Sequence, residues 1–364
     1  MASTMKQLVY PTYTTPDKYE FRQTSKPEIK KPDEVLVKVI AASVNPIDVK
    51  RAHGDVKILM KDPFPSPIGY DVSGVVESVG SDVTTLQPGT AVYARLPDTY
   101  RGTFQEYLVC AASDLTAKPS KMSYEDAAAL PLVSLTALQC FENVAKKKPE
   151  GAAWFKGKTV LVLSGLSGAG AAACQLAKNV YGAGKVICTV STAKVPLVPK
   201  LLGEGVVDQI IDYRKEDPTK AVEAQSVDYL FDTLGSPLTF LHTMKKGGEI
   251  SSLMVVPPTE VLREEIPGAP RLILYAASAI NKVMCFRAGR YGVGVRGELL
   301  HTDAKQLERI SQMYLDGKIS VIIAEVAQFS DEEKVKEVFT KVKEAKGYTG
   351  KMVVRIGSPS MLAA

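Results

Sequence analysis

The sequence of 364 residues predicts an α/β protein with two domains, one mainly antiparallel β and one a doubly wound parallel sheet. Three observations support this fold class. Short β-rich runs separated by Gly and Pro occupy the chain up to about residue 128. From about residue 129, apolar strands alternate with helical patterns, and a glycine-rich turn joins the first such strand to the next helix.

The strands predicted in the first part are short and are separated by turn residues such as Pro88 and Gly89. They lie at residues 35–40, 72–79, 91–94 and 104–110. Runs of this kind predict a small domain that is built mainly from antiparallel strands.

The second part repeats a β-α-β pattern, which predicts a doubly wound parallel sheet. The strands are predicted at residues 159–163, 186–190, 209–212, 227–231 and 249–255, and the helices at 171–181 and 196–202. The chain closes with a helix at 305–315, a strand at 321–324, a helix at 332–346 and a strand at 352–356. The pattern of helices and strands in this tail is compatible with completing either domain and does not decide between them.

Charge and cysteine usage narrow the class of protein. The net charge of +5 comes from 45 basic and 40 acidic residues without a long basic run, so nucleic acid is not an expected partner. No apolar stretch is long enough to span a bilayer, so no membrane partner is expected. Five dispersed cysteines indicate reduced thiols, and the first twenty residues contain Asp17 and Glu20 but no arginine. We therefore expect a cytoplasmic protein.

The glycine-rich turn resembles the G-x-G-x-x-G pattern of dinucleotide-binding folds. Gly165 and Gly170 match the pattern, whereas Ser167 replaces the middle glycine. Small residues let backbone N–H groups approach a pyrophosphate at a helix N-terminus. A purely structural tight turn is the alternative. The predicted phosphate-binding residues are Gly165, Leu166, Ser167, Gly168, Ala169 and Gly170.

The end of the following strand favours NADPH over NADH. NAD-binding sites usually place an acidic residue there for the ribose 2′-hydroxyl, but residues 188–194 contain no carboxylate. Ser191, Thr192 and Lys194 offer hydroxyl and ammonium donors for a 2′-phosphate instead. The alternative is that Lys194 is a solvated surface residue.

Six motifs follow one another along nearly the whole chain. They are AASVNPIDVK at 41–50, GYDVSGVV at 69–76, GTFQEY at 102–107, LPLVSLTA at 130–137, QLAK at 175–178 and GKMVV at 350–354. In this order they resemble the medium-chain dehydrogenase/reductase superfamily, and most strongly its quinone oxidoreductase and enoyl reductase branch.

The resemblance implies a GroES-like domain at residues 1–128, a Rossmann NADPH-binding domain at 129–296 and a return to the first domain at 297–364. It places Asn45 and Asp48 in the active site near the nicotinamide, with Thr136 beneath the ring. A turn-forming role is the alternative for Asn45 and Asp48. The other implied cofactor residues are Ser191, Thr192, Lys194 and Tyr213 at the adenosine phosphate, Leu253, Met254 and Val255 at the carboxamide, and Lys351 of the closing motif.

The residues argue against a metal centre. Zinc-dependent members of the superfamily carry a cysteine where this chain has Asn45, and Gly-His-Glu where it has Gly69, Tyr70 and Asp71. Residues 94–106 contain no cysteine, and the three histidines do not occur at metal-ligand spacing. We therefore expect zinc-independent chemistry.

The expected reaction is hydride transfer from NADPH to a small electrophile, either an activated C=C of an enone or enoyl group or a quinone. Tyr70 and Lys50 are candidate proton donors, with wall or structural roles as alternatives, and bulk water is a third source. Two other functions stay open: a pathway-specific enoyl reductase of secondary metabolism with a large or carrier-bound substrate, and an NADPH-binding protein with little turnover. Residues 257–282 would cap the substrate pocket, form the edge of a homodimer or simply pack.

Overall fold

The chain folds into two compact units in the computed structural model, which describes residues 4–358. The first unit consists of the described parts of Met1–Leu135, His301–Leu315 and Ile323–Ala364. The second consists of Thr136–Leu300 and Asp316–Ile322. The two units divide after Leu135 and after Leu300. The sequence predicts domain boundaries after residues 128 and 296, and these domain bounds stay a prediction.

The first unit is built mainly from antiparallel strands. Its elements before the second unit are β1 (Thr4–Tyr10), β2 (Glu20–Ser25), β3 (Glu34–Val44), α1 (Pro46–His53), β4 (Ser66–Pro67), β5 (Asp71–Val79), β6 (Ala91–Arg95), β7 (Tyr107–Ala111), β8 (Thr116–Ala117), α2 (Tyr124–Ala129) and the start of α3 (Pro131–Ala145). Those of the second unit are β9 (Thr159–Val162), α4 (Gly168–Gln175), β10 (Lys185–Val190), α5 (Leu197–Leu202), β11 (Gln209–Asp212), α6 (Pro218–Ala221), β12 (Val227–Asp232), β13 (Met244–Ser252), α7 (Thr259–Glu265), α8 (Arg271–Gly289) and β14 (Gly294–Gly297). The chain then returns to the first unit with α9 (Ala304–Leu315), β15 (Ile323–Gln328), α10 (Glu332–Glu344) and β16 (Lys351–Arg355).

Two sheets form the first unit. A seven-stranded sheet has the order β15-β16-β3-β5-β6-β8, and β7 also pairs with β3. All of its pairs are antiparallel except β15 with β16. A smaller sheet has the order β2-β1-β4. Because β16 pairs with β3, the closing GKMVV motif lies beside the motif that contains Asn45.

The second unit is a six-stranded parallel sheet with the order β11-β10-β9-β12-β13-β14. This is the order of two mononucleotide-binding halves that meet between β9 and β12. The central strands β9 and β10 are mostly apolar, as expected for a sheet that is covered on both faces. In β12 all six residues are buried. The fold class predicted from the sequence is therefore confirmed.

Several local predictions differ from the structure. The strand predicted at 321–324 is wrong in position, since residues 316–322 belong to the second unit and β15 begins at Ile323. The helix predicted at 171–181 begins earlier, at Gly168, and changes to π-helical hydrogen bonding over Leu176–Val180. The apolar run at 272–280 is part of the 19-residue helix α8. Within residues 4–358, no helix is long and apolar enough to cross a bilayer.

Candidate active site

The glycine-rich turn lies between the carboxyl end of β9 and helix α4. Ser167 is the N-cap of α4, and its Oγ accepts a hydrogen bond from the Gly170 amide at 3.1 Å. The Ser164 amide donates to Oγ1 of Thr189 at 3.0 Å, and the Gly165 amide donates to its carbonyl oxygen at 3.0 Å. The serine at the middle position of the motif thus caps the helix and satisfies one of its free N–H groups.

Gly165 and Gly170 are required by close packing in this turn. A Cβ atom on Gly165 would lie 2.6 Å from Cβ of Cys188, and one on Gly170 would lie 2.2 Å from the carbonyl oxygen of Ser164. Neither position accepts a side chain without a backbone shift, which also fits the structural alternative for this turn. The first turn of a helix presents N–H groups without intrahelical acceptors, and such groups bind phosphate. The same turn contains the other predicted phosphate-binding residues, Leu166, Gly168 and Ala169.

The structure brings the predicted adenosine-phosphate residues together at the carboxyl ends of β10 and β11. The Tyr213 amide donates to the carbonyl oxygen of Val190 at 3.1 Å, and the Lys194 amide donates to that of Ser191 at 2.8 Å. The Tyr213 side chain is 47% exposed, and that of Lys194 is half-buried. This partial burial lowers the pKa of Lys194.

Asp212 lies beside the residues predicted for the adenosine phosphate, at the carboxyl end of β11. It is not among the residues that the sequence predicts for this site. Its Oδ1 accepts hydrogen bonds from Oγ1 of Thr192 at 3.1 Å and from the Arg214 amide at 3.0 Å, and the ammonium of Lys215 lies 3.8 Å from its Oδ2. Residues 188–194 contain no carboxylate, but parallel pairing puts Asp212 beside Val190. Only the register in which β10 pairs with β11 identifies Asp212 as a neighbour of Val190.

The residues predicted near the nicotinamide carboxamide follow strand β13. The Leu253 amide donates to the carbonyl oxygen of Asp232 at 2.9 Å, and Oγ of Ser252 donates to the Asp232 carboxylate at 2.6 Å. Asp232 is fully buried and holds the ends of β12 and β13 together. Met254 is 51% exposed, and Val255 is partly buried.

A small pocket of about 20 Å³ in the second unit is lined by two of the predicted cofactor residues, Thr136 and Leu253. Its other lining residues are Gln139, Cys140, Glu298, Leu299 and Leu300. Glu298 is the charged residue of this lining and was not predicted. It accepts hydrogen bonds from Nδ2 of Asn143 at 2.9 Å and from Oγ of Ser251 at 3.0 Å. Burial raises the pKa of Glu298, partly offset by the nearby Arg296 guanidinium.

In the first unit, Asn45 lies at the centre of a buried polar cluster. Its Nδ2 donates to Oδ2 of Asp71 at 2.9 Å, and its Oδ1 accepts a hydrogen bond from the Lys351 ammonium. Lys351 also donates to the carbonyl oxygen of Val44 at 3.3 Å. Asn45 and Asp71 are fully buried, and Lys351 is 4% exposed. Both ends of the Asn45 amide are thus occupied by protein groups, and the Lys351 ammonium, predicted at the cofactor, binds Asn45 and Asp71.

Asp48 completes this cluster from the first turn of α1. Its Oδ2 accepts a hydrogen bond from the Asn45 amide N–H at 2.7 Å, which forms the capping box of the helix. Among the described residues, its Oδ1 has no hydrogen-bond partner although it is buried. Burial raises the pKa of Asp48 to about 7, and the nearby Asp71 acts in the same direction. Burial also raises the pKa of Asp71 and lowers the pKa of Lys351.

Tyr70 lies in a separate ion cluster of the first unit. Its hydroxyl accepts a hydrogen bond from Nη1 of Arg51 at 2.5 Å and donates to Oδ1 of Asp98 at 2.8 Å. It is 2% exposed, and burial raises its pKa well above the usual range of tyrosine. Lys50, the other candidate donor, is partly buried in the last turn of α1.

The donor atoms around Asn45 do not fit a zinc ion. Oδ1 of Asn45 and Oδ2 of Asp71 both face the ammonium of Lys351, and a dication beside that ammonium would be repelled. Across residues 4–358, no group of three or more His, Cys, Asp or Glu side chains is arranged to hold a metal ion.

Two family models match the chain. The alcohol dehydrogenase GroES-like domain matches residues 31–120, and the zinc-binding dehydrogenase model matches residues 207–354. A similar solved structure, the quinone oxidoreductase from Coxiella burnetii, has a TM-score of 0.77 and 26% identity, with 98% of this chain and 100% of that chain covered.

Two curated relatives extend this similarity. The chain is 38% identical over 263 residues to the chloroplastic NADPH-dependent alkenal/one oxidoreductase of Arabidopsis thaliana. The matched region covers 70% of this chain and only 64% of that protein. It is 30% identical over 345 residues to the mitochondrial NAD(P)H oxidoreductase RTN4IP1 of Mus musculus, which covers 91% of this chain and 83% of that protein. With the motif order and the observed fold, these matches show that the chain belongs to the medium-chain dehydrogenase/reductase superfamily.

Proposed function

We propose that this protein is a zinc-independent, NADPH-dependent reductase that delivers hydride to an activated C=C or to a quinone. The observation that carries the proposal is the β9–turn–α4 segment, in which two glycines form a tight turn at the start of a helix, where the first amides can bind a pyrophosphate. The reaction class is supported by the relatives named above, an alkenal/one oxidoreductase and a quinone oxidoreductase.

NADPH, when bound, supplies the hydride, and the protein supplies binding, orientation and stabilisation of developing charge. The turn from Gly165 to Gly170 would hold the pyrophosphate. Thr136 and Leu253 would lie at the nicotinamide, because they line the same pocket of the second unit. Met254 and Val255, which follow Leu253, would contribute at the carboxamide.

The preference for NADPH rests on the charges at the ends of β10 and β11. Lys194, Arg214 and Lys215 offer three cations to a 2′-phosphate, although three carboxylates, Asp212, Glu216 and Asp217, lie in the same stretch after β11. Oδ1 of Asp212 accepts a hydrogen bond from Thr192, and the Lys215 ammonium lies 3.8 Å from its Oδ2, which compensates part of its charge. Ser191 and Tyr213 would complete the contacts with the adenosine end.

The zinc-independent part of the proposal rests on Lys351. An ammonium that already binds Asn45 and Asp71 supplies the positive charge that those oxygens require. In this proposal Asn45, Asp48 and Lys351, which are buried in the first unit, have a structural role and do not donate to the substrate directly.

The final proton comes from Lys50 or from solvent in this proposal. Tyr70 is a poor donor, because its proton is directed at Asp98 and because burial raises its pKa. Removing the hydroxyl in Tyr70→Phe is therefore expected to alter stability more than the reduction step.

The test is to follow NADPH oxidation against a panel of 2-alkenals, enones and quinones, with and without a metal chelator. Reduction of at least one class of acceptor that persists with the chelator is the expected result. Tight NADPH binding without reduction of any acceptor would make the protein a binding protein, and activity lost on chelation would reject the zinc-independent part. A cytoplasmic location remains a prediction, and two relatives carry the words chloroplastic and mitochondrial in their names.

A further inference from the structure

Helix α8 is apolar on two opposite faces. Leu274, Ala277, Met284 and Ala288 are buried and pack within the second unit. At about 100° per residue, Leu272, Tyr275, Val283 and Phe286 lie roughly 180° from that buried stripe. A helix that is apolar all round is normally covered on all sides.

The outward face of α8 is exposed in the structure. Leu272 is 80% exposed, Tyr275 70%, Val283 60% and Phe286 71%, with Ile280 at its margin at 51%. We call these five side chains the α8 outer stripe. Scattered single apolar residues are normal on a protein surface, but a contiguous row along a 19-residue helix of about 28 Å marks an interaction site.

The charged residues of α8 and of the chain on either side of it, residues 266–297, are all positive. Arg271, Lys282, Arg287 and Arg290 are exposed, and residues 266–297 contain no Asp or Glu. On the helical wheel, Arg290 continues the line of the stripe, and Lys282 and Arg287 border it on opposite sides. The acidic residues nearest in sequence, Glu260, Glu264 and Glu265, precede α8 in the helix α7.

We propose that the α8 outer stripe docks onto the surface of a membrane that contains anionic lipids. An apolar and aromatic stripe bordered by Lys and Arg is the pattern of a helix that lies in the headgroup region, where its apolar side chains meet acyl chains and its cations meet lipid phosphates. The helix lies along the surface and does not cross the bilayer. The sequence predicts no membrane partner, because no apolar stretch, including the run at 272–280, is long enough to span a bilayer. Docking on the membrane surface does not require such a length.

A second copy of this chain is the less suitable occupant. A twofold contact through α8 would bring the cations of one helix close to those of its partner, and α8 itself contributes no acidic residue to neutralise them. An anionic lipid surface meets both requirements of the stripe, apolar contact and negative charge.

The experiment measures co-sedimentation of the full chain with phosphatidylcholine vesicles that contain about 30% phosphatidylserine, and with vesicles of phosphatidylcholine alone. We expect binding to the anionic vesicles that weakens as salt is raised. The variant Val283→Gln/Phe286→Gln should bind about tenfold less, and Arg287→Gln/Arg290→Gln should lose most of the salt-dependent part.

Ile58→Gln is the matched control, because Ile58 is an apolar side chain, 65% exposed, in the first unit. It should bind vesicles as the unchanged protein does. All variants alter exposed side chains, so unchanged circular dichroism spectra and NADPH affinity in solution would show that they fold. The proposal is overturned if the protein does not bind anionic vesicles or if Ile58→Gln loses as much binding as the stripe variant. It is also overturned if the stripe variant keeps its vesicle binding and only changes from a dimer to a monomer.

Discussion

The ammonium of Lys351 lies 3.6 Å from a carboxylate oxygen of Asp71, and both side chains are almost closed to solvent. The two residues come from β16 and the start of β5, far apart in the chain. Between them, the Asn45 amide accepts a hydrogen bond from one and donates to the other. Because a buried charge is costly without its partner, this arrangement predicts a strong dependence of stability on each member.

Removing the ammonium in Lys351→Met should lower the free energy of unfolding by about 3–5 kcal/mol, because Asp71 would be left as an unpaired buried carboxylate. Urea unfolding followed by circular dichroism measures the loss. The double variant Lys351→Met/Asp71→Asn provides the control, since it removes both charges. It should be more stable than Lys351→Met alone, and additive losses would mean that the two charges do not interact.

Asp48 predicts a dependence of stability on pH. Its pKa is raised to about 7 in the folded chain, whereas an unfolded aspartate ionises near 4. Between these values the folded state binds more protons, so the contribution of Asp48 to the free energy of unfolding falls as pH rises from about 4 to about 7, and is constant above. Relative to Asp48→Asn, the unchanged protein should lose on the order of 2 kcal/mol between pH 5 and pH 8.

Denaturant unfolding of both proteins at the two pH values tests this. Burial also raises the pKa of the neighbouring Asp71, but that carboxyl is present in both proteins and largely cancels in the comparison. Parallel stability curves for the two proteins across this range would show that Asp48 does not titrate there.

Cofactor choice is predicted to depend on Lys194. The variant Lys194→Ala should weaken NADPH binding about tenfold and leave NADH almost unchanged, because only NADPH carries the 2′-phosphate that the ammonium would bind. Titration of cofactor fluorescence gives both dissociation constants. Arg309→Ala, which removes a cation from helix α9 of the first unit, serves as the charge-matched control. Equal losses for the two cofactors would show that Lys194 does not distinguish them.

Asp212 shows why the cofactor site was only partly predictable from sequence. The glycine-rich turn, the strand before it and the helix after it are local patterns, and the structure contains all three. Whether a carboxylate approaches the end of β10 depends on which residue of β11 is paired with Val190. That register is set by packing of the sheet, so inspection of residues 188–194 alone missed the acid.

The same limit applies to the buried cluster and to α8. The Asn45 and Lys351 motifs were recognised separately, but their hydrogen bond requires the pairing of β16 with β3 across 306 residues of sequence. For α8, the apolar run was visible, yet both faces of the helix are apolar, so periodicity could not tell the buried face from the exposed one.

A substitution in the glycine-rich turn at residues 165–170 can separate the contribution of this turn to stability from its predicted binding of the cofactor pyrophosphate. Gly170→Ala would place a Cβ atom 2.2 Å from the carbonyl oxygen of Ser164, so the first turn of α4 must shift. We expect a loss of about 1–3 kcal/mol in the free energy of unfolding, and NADPH affinity at least about tenfold weaker, because the amides of that turn would no longer point at the pyrophosphate. Gly268→Ala is the control, since a Cβ there meets no atom within 4 Å. Calorimetric unfolding and cofactor titration on the same samples decide the matter: if Gly170→Ala loses stability but keeps its NADPH affinity, the turn is a structural one and the pyrophosphate binds elsewhere.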